Sequence, residues 1–79
     1  MERTLILEKV KTQAATIFAT APDQIEETDS HKEIEAWDSL GHLRLFMALE
    51  AEFGLKFDVT EMTASRTIAA ITDLIEQKA

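Results

Sequence analysis

Apolar side chains recur at helical spacing in three stretches of the chain, and this pattern predicts most of the secondary structure. The first stretch runs from about residue 4 to residue 20, and the third from about residue 65 to residue 77. The side chains expected to share one helical face are Leu7, Val10, Ala14, Ile17 and Phe18 in the first, and Ile68, Ile71, Leu74 and Ile75 in the third. Pro22 is expected to end the first helix, because proline disfavours helical angles in the residue before it.

The middle stretch, residues 38–53, predicts the second main helix. Asp38 is a suitable N-cap, and Gly54 is a suitable residue after the last turn. A helical wheel predicts a buried stripe formed by Leu43, Phe46, Leu49 and Phe53. Leu40 and Met47 point well away from that stripe, so we expect them to be exposed apolar side chains near the start of the helix.

Two connections separate the predicted helices. Residues 23–38 hold seven acidic side chains against one lysine, and we interpret them as a long loop anchored by Ile25, Ile34 and Trp37. Residues 55–59 alternate between apolar and polar, but they have no second strand to pair with, so we expect an extended loop.

A short helical turn at residues 61–63, capped by Thr60, is expected next, and either Ser65 or Thr67 could cap the last helix. The fold class predicted is therefore all-α: a small four-helix bundle of three main helices and one short helix, in a single domain covering residues 1–79.

The charge and the cysteine count narrow the range of functions. The net charge is −7, from 15 acidic and 8 basic residues, which disfavours nucleic acid and anionic membrane surfaces and suits basic protein surfaces. The chain has no cysteine, so any thiol chemistry needs an added group. Its apolar run at residues 5–7 is far too short for a signal peptide or a membrane span, and the cytosol is the default location.

The stretch Asp38-Ser39-Leu40 is the strongest candidate for chemistry. A helix start favours anions, so a phosphodiester on Ser39 would suit this position, although ordinary capping is the commoner explanation of such a tripeptide taken alone. His31 and His42 lack metal-ligand spacing, and we expect both to be surface histidines. The chain shows no nucleophile, base and orienting residue in a recognisable set, so we do not expect an enzyme.

The longer stretch from Trp37 to Gly54 resembles the acyl carrier protein family. It contains Asp-Ser-Leu, then an amphipathic helix that ends in Met-Ala-Leu-Glu and Glu-Phe-Gly. The resemblance implies a four-helix bundle in which Ser39 receives 4′-phosphopantetheine from coenzyme A through a phosphopantetheinyl transferase. It also implies a carrier rather than a catalyst, with acyl groups held as thioesters on the thiol of the arm.

The resemblance further implies a partner surface on the second helix for acyl-loading and acyl-transferring enzymes with basic patches, and we expect the chain to be a monomer. The residues assigned to that surface are Leu40, Arg44, Met47, Glu50 and Glu52. Carriers of primary fatty acid synthesis usually have an acidic residue at the position of Arg44 and usually lack His42. This departure favours a specialised pathway of polyketide, aminoacyl or surface-glycan type over fatty acid synthesis, while Ala36-Trp37 departs from the glycine pair of peptidyl carriers.

Two other classes of function stay open at this point. One is a helical protein-interaction module with the carrier fold and no prosthetic group, and the presence of Ser39 argues against it. The other is a folded acidic inhibitor that binds one basic enzyme without being modified.

Overall fold

Four α-helices and one short 3-10 turn make up the regular structure of the computed structural model, which describes residues 2–79. In chain order they are α1 (Arg3–Phe18), the 3-10 turn (Pro22–Gln24), α2 (Ser39–Phe53), α3 (Val59–Ala64) and α4 (Ile68–Lys78). No strand occurs among these residues, and residues 55–58 form an extended connection. The all-α prediction, with three main helices and one short helix, is confirmed.

The core lies where α1 packs against both α2 and α4. Its side chains are fully or almost fully buried because each main helix turns one apolar stripe inward. The helical members of this core are Ile6, Val10, Ala14, Ala15, Phe18, Leu45, Phe46, Leu49, Ile68, Ile71 and Ile75. In α1, Leu7 and Ile17 are only partly buried, so the inward stripe is centred slightly to one side of the predicted one.

The predicted buried stripe of α2 is wrong in one member. Leu43 is 46% exposed, whereas Leu45 is completely buried. The buried residues of α2 are Gly41, His42, Leu45, Phe46 and Leu49. Positions 42, 45, 46 and 49 have regular helical spacing and form the face toward the core, but position 42 is a histidine. A wheel that counts only apolar residues therefore places the centre of the stripe too close to Leu43.

The ends of the helices show how the sequence stops and starts them. The first helix ends at Phe18, before Pro22, because Ala19 adopts the left-handed conformation with φ of 55°. Gly54 ends α2 in the same conformation, as predicted. The cap of α3 is Asp58 rather than Thr60, since Asp58 and Glu61 exchange side-chain to backbone hydrogen bonds in a capping box.

The N-cap of α4 is Thr67, whose hydroxyl accepts a hydrogen bond from the Ala70 N–H at 3.0 Å. Ser65, the other predicted candidate, is the residue that ends α3. Both residues lie in the short linker between α3 and α4, which also contains Arg66.

Residues 19–38, the acidic connection between α1 and α2, form an ordered segment that we call the strap. Ile25 and Trp37 are buried and Ile34 packs against the core, which confirms the three predicted anchors. The carbonyls of Glu27 and Asp29 accept hydrogen bonds from the first backbone N–H groups of α4, at 2.8 and 3.2 Å. The strap thus satisfies donors at a helix start that otherwise lack partners.

Within the strap, two carboxylates stabilise local turns. The buried Asp29 side chain accepts a hydrogen bond from the Glu26 N–H at 2.9 Å. Glu33 accepts from the N–H and the hydroxyl of Ser30, and these hydrogen bonds lower the pKa of Glu33. Two of the acidic side chains of the strap, Asp29 and Glu33, therefore stabilise the conformation of the strap itself. None of the described helices is both long and apolar enough to cross a membrane.

Candidate functional site

Ser39 is the first residue of α2, and it is exposed. Asp38 immediately before it is the N-cap, as predicted: its carboxylate accepts a hydrogen bond from the Gly41 N–H at 2.8 Å. The Asp38 carbonyl accepts from the His42 N–H at 2.8 Å, so the first turn is firmly closed around Ser39. A serine at this point presents its hydroxyl to solvent from a rigid helix start, where the helix dipole favours an anion.

Gly41 brings the end of the strap against the start of α2. A Cβ atom at this position would lie 2.5 Å from the carbonyl oxygen of Ala36 and 3.0 Å from the Phe18 ring. Only a residue without a side chain permits this approach. The backbone just before Ser39 and the first turn after it are therefore held together by close packing.

His42 is buried beneath the helix start, which contradicts the prediction that it lies on the surface. The Trp37 indole N–H donates to His42 Nδ1 at 2.9 Å, and His42 Nε2 lies 2.8 Å from the Met62 carbonyl oxygen. Because indole nitrogen can only donate, Nδ1 is unprotonated, and Nε2 carries the proton that it donates to Met62. Burial lowers the pKa of His42, and the charge of Arg66 lowers it further.

An aromatic row continues the contacts of this histidine through the molecule. Phe18 stacks on Trp37 at 5.2 Å between ring centroids, and Trp37 lies over His42 at 6.0 Å. His42 meets Phe46 edge to face at 5.0 Å, and Phe46 meets Phe57 in the same way at 5.2 Å. The row ties α1, the strap, α2 and the connection before α3 into one support for the start of α2.

Ser39 also lies in the wall of an open pocket of about 320 Å³. The other lining residues come from the strap, the helix start and the linker before α4: His31, Trp37, Asp38 and Arg66. His31 is exposed, as predicted. The described residues contain no group of three or more acidic, histidine or cysteine side chains able to hold a metal ion.

The side of α2 that faces away from the core carries several predicted partner-binding residues. Leu40 is 55% exposed and Met47 is 60% exposed, and both were expected to be exposed. Leu43, which was expected to be buried, joins them at helical spacing, together with the exposed Arg44. The structure thus brings three large apolar side chains and one cation to one outer face.

The two predicted acidic contributors are engaged within the chain. The Glu50 carboxylate accepts from the Phe57 N–H at 2.9 Å. Glu52 accepts from Gln13 at 3.0 Å and pairs with Lys9 at 3.3 Å, and these contacts lower the pKa of Glu52, the Gln13 hydrogen bond most. Both side chains hold α2 to its neighbours. A helical wheel cannot show these contacts, because it describes one helix alone.

Comparisons with known proteins agree with this architecture. The sequence profile of a family described as "Phosphopantetheine attachment site" matches residues 8–75. The chain is 35% identical over 78 residues to an acyl carrier protein of Thermosynechococcus vestitus, covering 99% of this chain and 96% of the other. Its fold is similar to that of an acyl carrier protein from Enterococcus faecalis, with a TM-score of 0.78 and 25% identity over the whole of both chains.

These features define a helical carrier whose prosthetic group is 4′-phosphopantetheine. The chain belongs to the acyl carrier protein family. Proteins of this family are carriers and not catalysts, which accords with the absence of a catalytic set in the sequence.

Proposed function

We propose that Ser39 is the residue that bears the prosthetic group, and that the chain carries acyl groups to partner enzymes as thioesters on that group. The observation that supports this most directly is the position of Ser39. Its hydroxyl is exposed at the start of α2, beside an open pocket, and within the region that matches the attachment-site family. Of the other two serines, Ser65 is buried and Ser30 is hydrogen-bonded to Glu33 in the strap.

The residues around Ser39 fit a phosphopantetheine. In that attachment the Ser39 oxygen would bond to the phosphorus that bears the pantetheine, while the pyrophosphate bond of coenzyme A would break and the nucleotide would leave with its own phosphate. The serine proton would pass to solvent. We propose that the Asp38 carboxylate, which caps the helix through the Gly41 N–H, also helps to orient a modifying enzyme or its metal. When bound, the arm supplies the thiol that a chain without cysteine lacks. Asp38, Gly41 and His42 hold the attachment point rigid, because each contacts the first turn or the strap directly.

The outer face of α2 is proposed as the docking surface for the transferase and for the enzymes that load and unload the arm. Leu40, Leu43 and Met47 provide apolar contact area that folding leaves uncovered. The net charge of −7 favours partners with basic patches. Arg44 adds a cation within the outer face, so a partner that fits it needs an acidic or neutral group opposite.

The cation at Arg44 and the engaged Glu50 and Glu52 favour partners other than those of primary fatty acid synthesis. We therefore place the chain in a specialised pathway of polyketide, aminoacyl or surface-glycan type, with fatty acid synthesis as the alternative. We propose that it works in the cytoplasm as a monomer and as one domain over residues 1–79, without nucleic acid or membrane partners.

The proposal is tested by intact-mass measurement after incubation with coenzyme A and a phosphopantetheinyl transferase. The unaltered chain and a Ser30→Ala control are expected to gain the mass of one phosphopantetheine, and Ser39→Ala is expected to gain none. Modification of Ser39→Ala would show that the site is elsewhere. A folded, unaltered chain that no transferase modifies would instead favour an interaction module without a prosthetic group.

A further inference from the structure

The pocket beside Ser39 is lined in part by Arg66, whose positive charge has no role in the proposed attachment chemistry. Arg66 lies in the linker between α3 and α4, distant in sequence from Ser39, yet both line the same pocket. We propose that Arg66 binds the phosphodiester of the arm on Ser39 and fixes the root of the arm in this pocket. This inference rests on the proposed attachment at Ser39, and its test is designed to separate the two.

Arg66 is held in place but retains donors to offer. Its Nε–H donates to the Thr63 carbonyl at 3.0 Å, which anchors the side chain at the end of α3. Among residues 2–79, carboxylates lie within ion-pair distance of Arg3, Lys9 and Lys78, but of neither Arg66 nor Arg44. The two terminal nitrogens of Arg66 therefore remain for an anion from outside the polypeptide.

A phosphate on Ser39 would lie in a negatively charged environment, and a nearby cation would stabilise it there. The chain carries a net charge of −7, and the carboxylate of Asp38 lines the same pocket. An additional negative charge placed there is repelled by Asp38. A guanidinium offsets that repulsion and matches phosphate oxygens with paired N–H donors, which gives Arg66 a geometric fit that a lysine lacks. His31 also lines the pocket and adds a polar group to the same wall.

Binding of the phosphodiester by Arg66 sets where the arm begins. The pocket lies between the start of α2 and the α3–α4 linker, not on the outer face that Leu40 and Met47 form. The arm would leave from a fixed point beside the docking surface, so a partner could dock on α2 without displacing the phosphate. Arg66 is a positioning residue in this proposal, since it touches the group that carries the cargo but takes no part in any transfer.

The test compares apo and modified chains of four proteins: the unaltered chain, Arg66→Gln, Arg66→Lys and the control Arg44→Gln. Arg44→Gln removes the same charge from a residue that is much closer to Ser39 in sequence than Arg66 is, but that does not line the pocket. Intact mass shows first that each protein is modified. Two readouts follow that do not depend on any partner enzyme: the ³¹P chemical shift of the phosphodiester, and the change in Tm caused by modification.

In the unaltered chain and in Arg44→Gln, the ³¹P resonance is expected to differ from that of free phosphopantetheine diesters. In Arg66→Gln it should move to the free value, and Arg66→Lys should lie between. Because an exposed ion pair contributes little, the Tm change on modification should become less favourable by only about 2–4 °C in Arg66→Gln. Comparing modified with apo protein removes any effect of losing the Thr63 hydrogen bond, which both forms share.

The two possible failures are distinct. If no variant gains mass, the attachment proposal fails. If all four are modified but Arg66→Gln and Arg44→Gln give the same ³¹P shift and the same change in Tm, attachment stands and the role of Arg66 is refuted.

Discussion

The two faces of α2 combine polarity and burial in opposite ways, although their residues alternate along the same helix. Residues 42, 45, 46 and 49 face the core, and residues 40, 43, 44 and 47 face outward, about 160° away at 100° per residue. The inner face contains a histidine that is 7% exposed. The outer face contains three large apolar side chains that are about half exposed. Polarity alone does not separate these faces.

What separates them is whether each group finds a partner inside the chain. The ring of His42 uses both nitrogens, one toward Trp37 and one toward Met62, so its burial leaves no polar atom unsatisfied. Leu40 and Met47 stay 55% and 60% exposed, so the fold leaves much of each side chain uncovered. The inner face is therefore explained by folding, whereas the outer face fits the docking surface that we propose.

The largest expected effect contrasts one residue from each face. Replacing the buried Phe46 with alanine removes a ring that contacts both His42 and Phe57, and we expect a loss of about 3–5 kcal/mol in the free energy of unfolding. Met47→Ala, next in sequence, should change that free energy by no more than about 0.5 kcal/mol. Urea titrations followed by circular dichroism measure both.

Met47→Ala should act on association instead. The transferase is expected to modify Met47→Ala more slowly, or a loading enzyme to bind it with lower affinity. Its free energy of unfolding is expected to stay close to that of the unaltered chain. A Met47→Ala protein that is strongly destabilised, or one that binds as tightly as the unaltered chain, would contradict the division between the two faces.

Much of the fold could be predicted from spacing, because three apolar stripes at helical period define three helices almost independently of one another. The start and the end of α2 could also be predicted, since Asp38 and Gly54 cap them by purely local chemistry. The N-cap of α3 could have been predicted too, because Asp58 and Glu61 have capping-box spacing, but the prediction named Thr60 instead.

The burial of His42 and the placement of Arg66 could not be predicted in the same way. The partners of His42 lie in the strap and at the end of α3, and they meet the ring only after the chain has folded. Arg66 reaches the pocket of Ser39 because the α3–α4 linker happens to close that side of the bundle. Neither contact leaves a periodic signal in the sequence. Ser39 could be proposed from the sequence because the stretch from Trp37 to Gly54 that resembles the family is continuous along the chain.

An intermediate effect is expected at Gly41, where the inner face meets the strap. In most helix interiors, replacing glycine with alanine stabilises the protein by about 1 kcal/mol. Here the added Cβ would lie 2.5 Å from the Ala36 carbonyl oxygen, so the strap must move, and we expect Gly41→Ala to lose about 1–3 kcal/mol. The native fluorescence of Trp37 should change as well, because the same movement shifts its position.

Gly54→Ala is the matched control for Gly41. It meets no atom within 4 Å, but its φ of 65° costs an alanine about 1–2 kcal/mol. Its strain is local to the helix end, so native Trp37 fluorescence should stay as in the unaltered chain. If Gly41→Ala were as stable as the unaltered chain, or left the fluorescence of Trp37 unchanged, the close coupling of strap and helix would be refuted.

The smallest expected effect is a pH dependence that belongs to the inner face. In the native chain burial holds the pKa of His42 below its ordinary value of 6.5, so the unfolded chain binds a proton that the native chain does not. Stability is therefore expected to fall as pH falls from about 6.5 toward the native pKa, by at most about 1.4 kcal/mol per pH unit. Carboxylates with lowered pKa, such as Glu33 and Glu61, act in a separate window below 4.5.

His42→Gln removes this titration, and His31→Gln is the matched control at an exposed histidine. We expect the decline in stability between pH 7 and pH 5 to persist in His31→Gln and to flatten in His42→Gln, whatever the absolute stability of that variant. Urea titrations should be followed by circular dichroism, since the indole of Trp37 bonds directly to His42 and its fluorescence reports the ring itself. Parallel pH profiles for His42→Gln and the unaltered chain would mean that His42 is not held neutral by burial. The inner face would then tolerate a charge, and the contrast with the outer face would rest on shape alone.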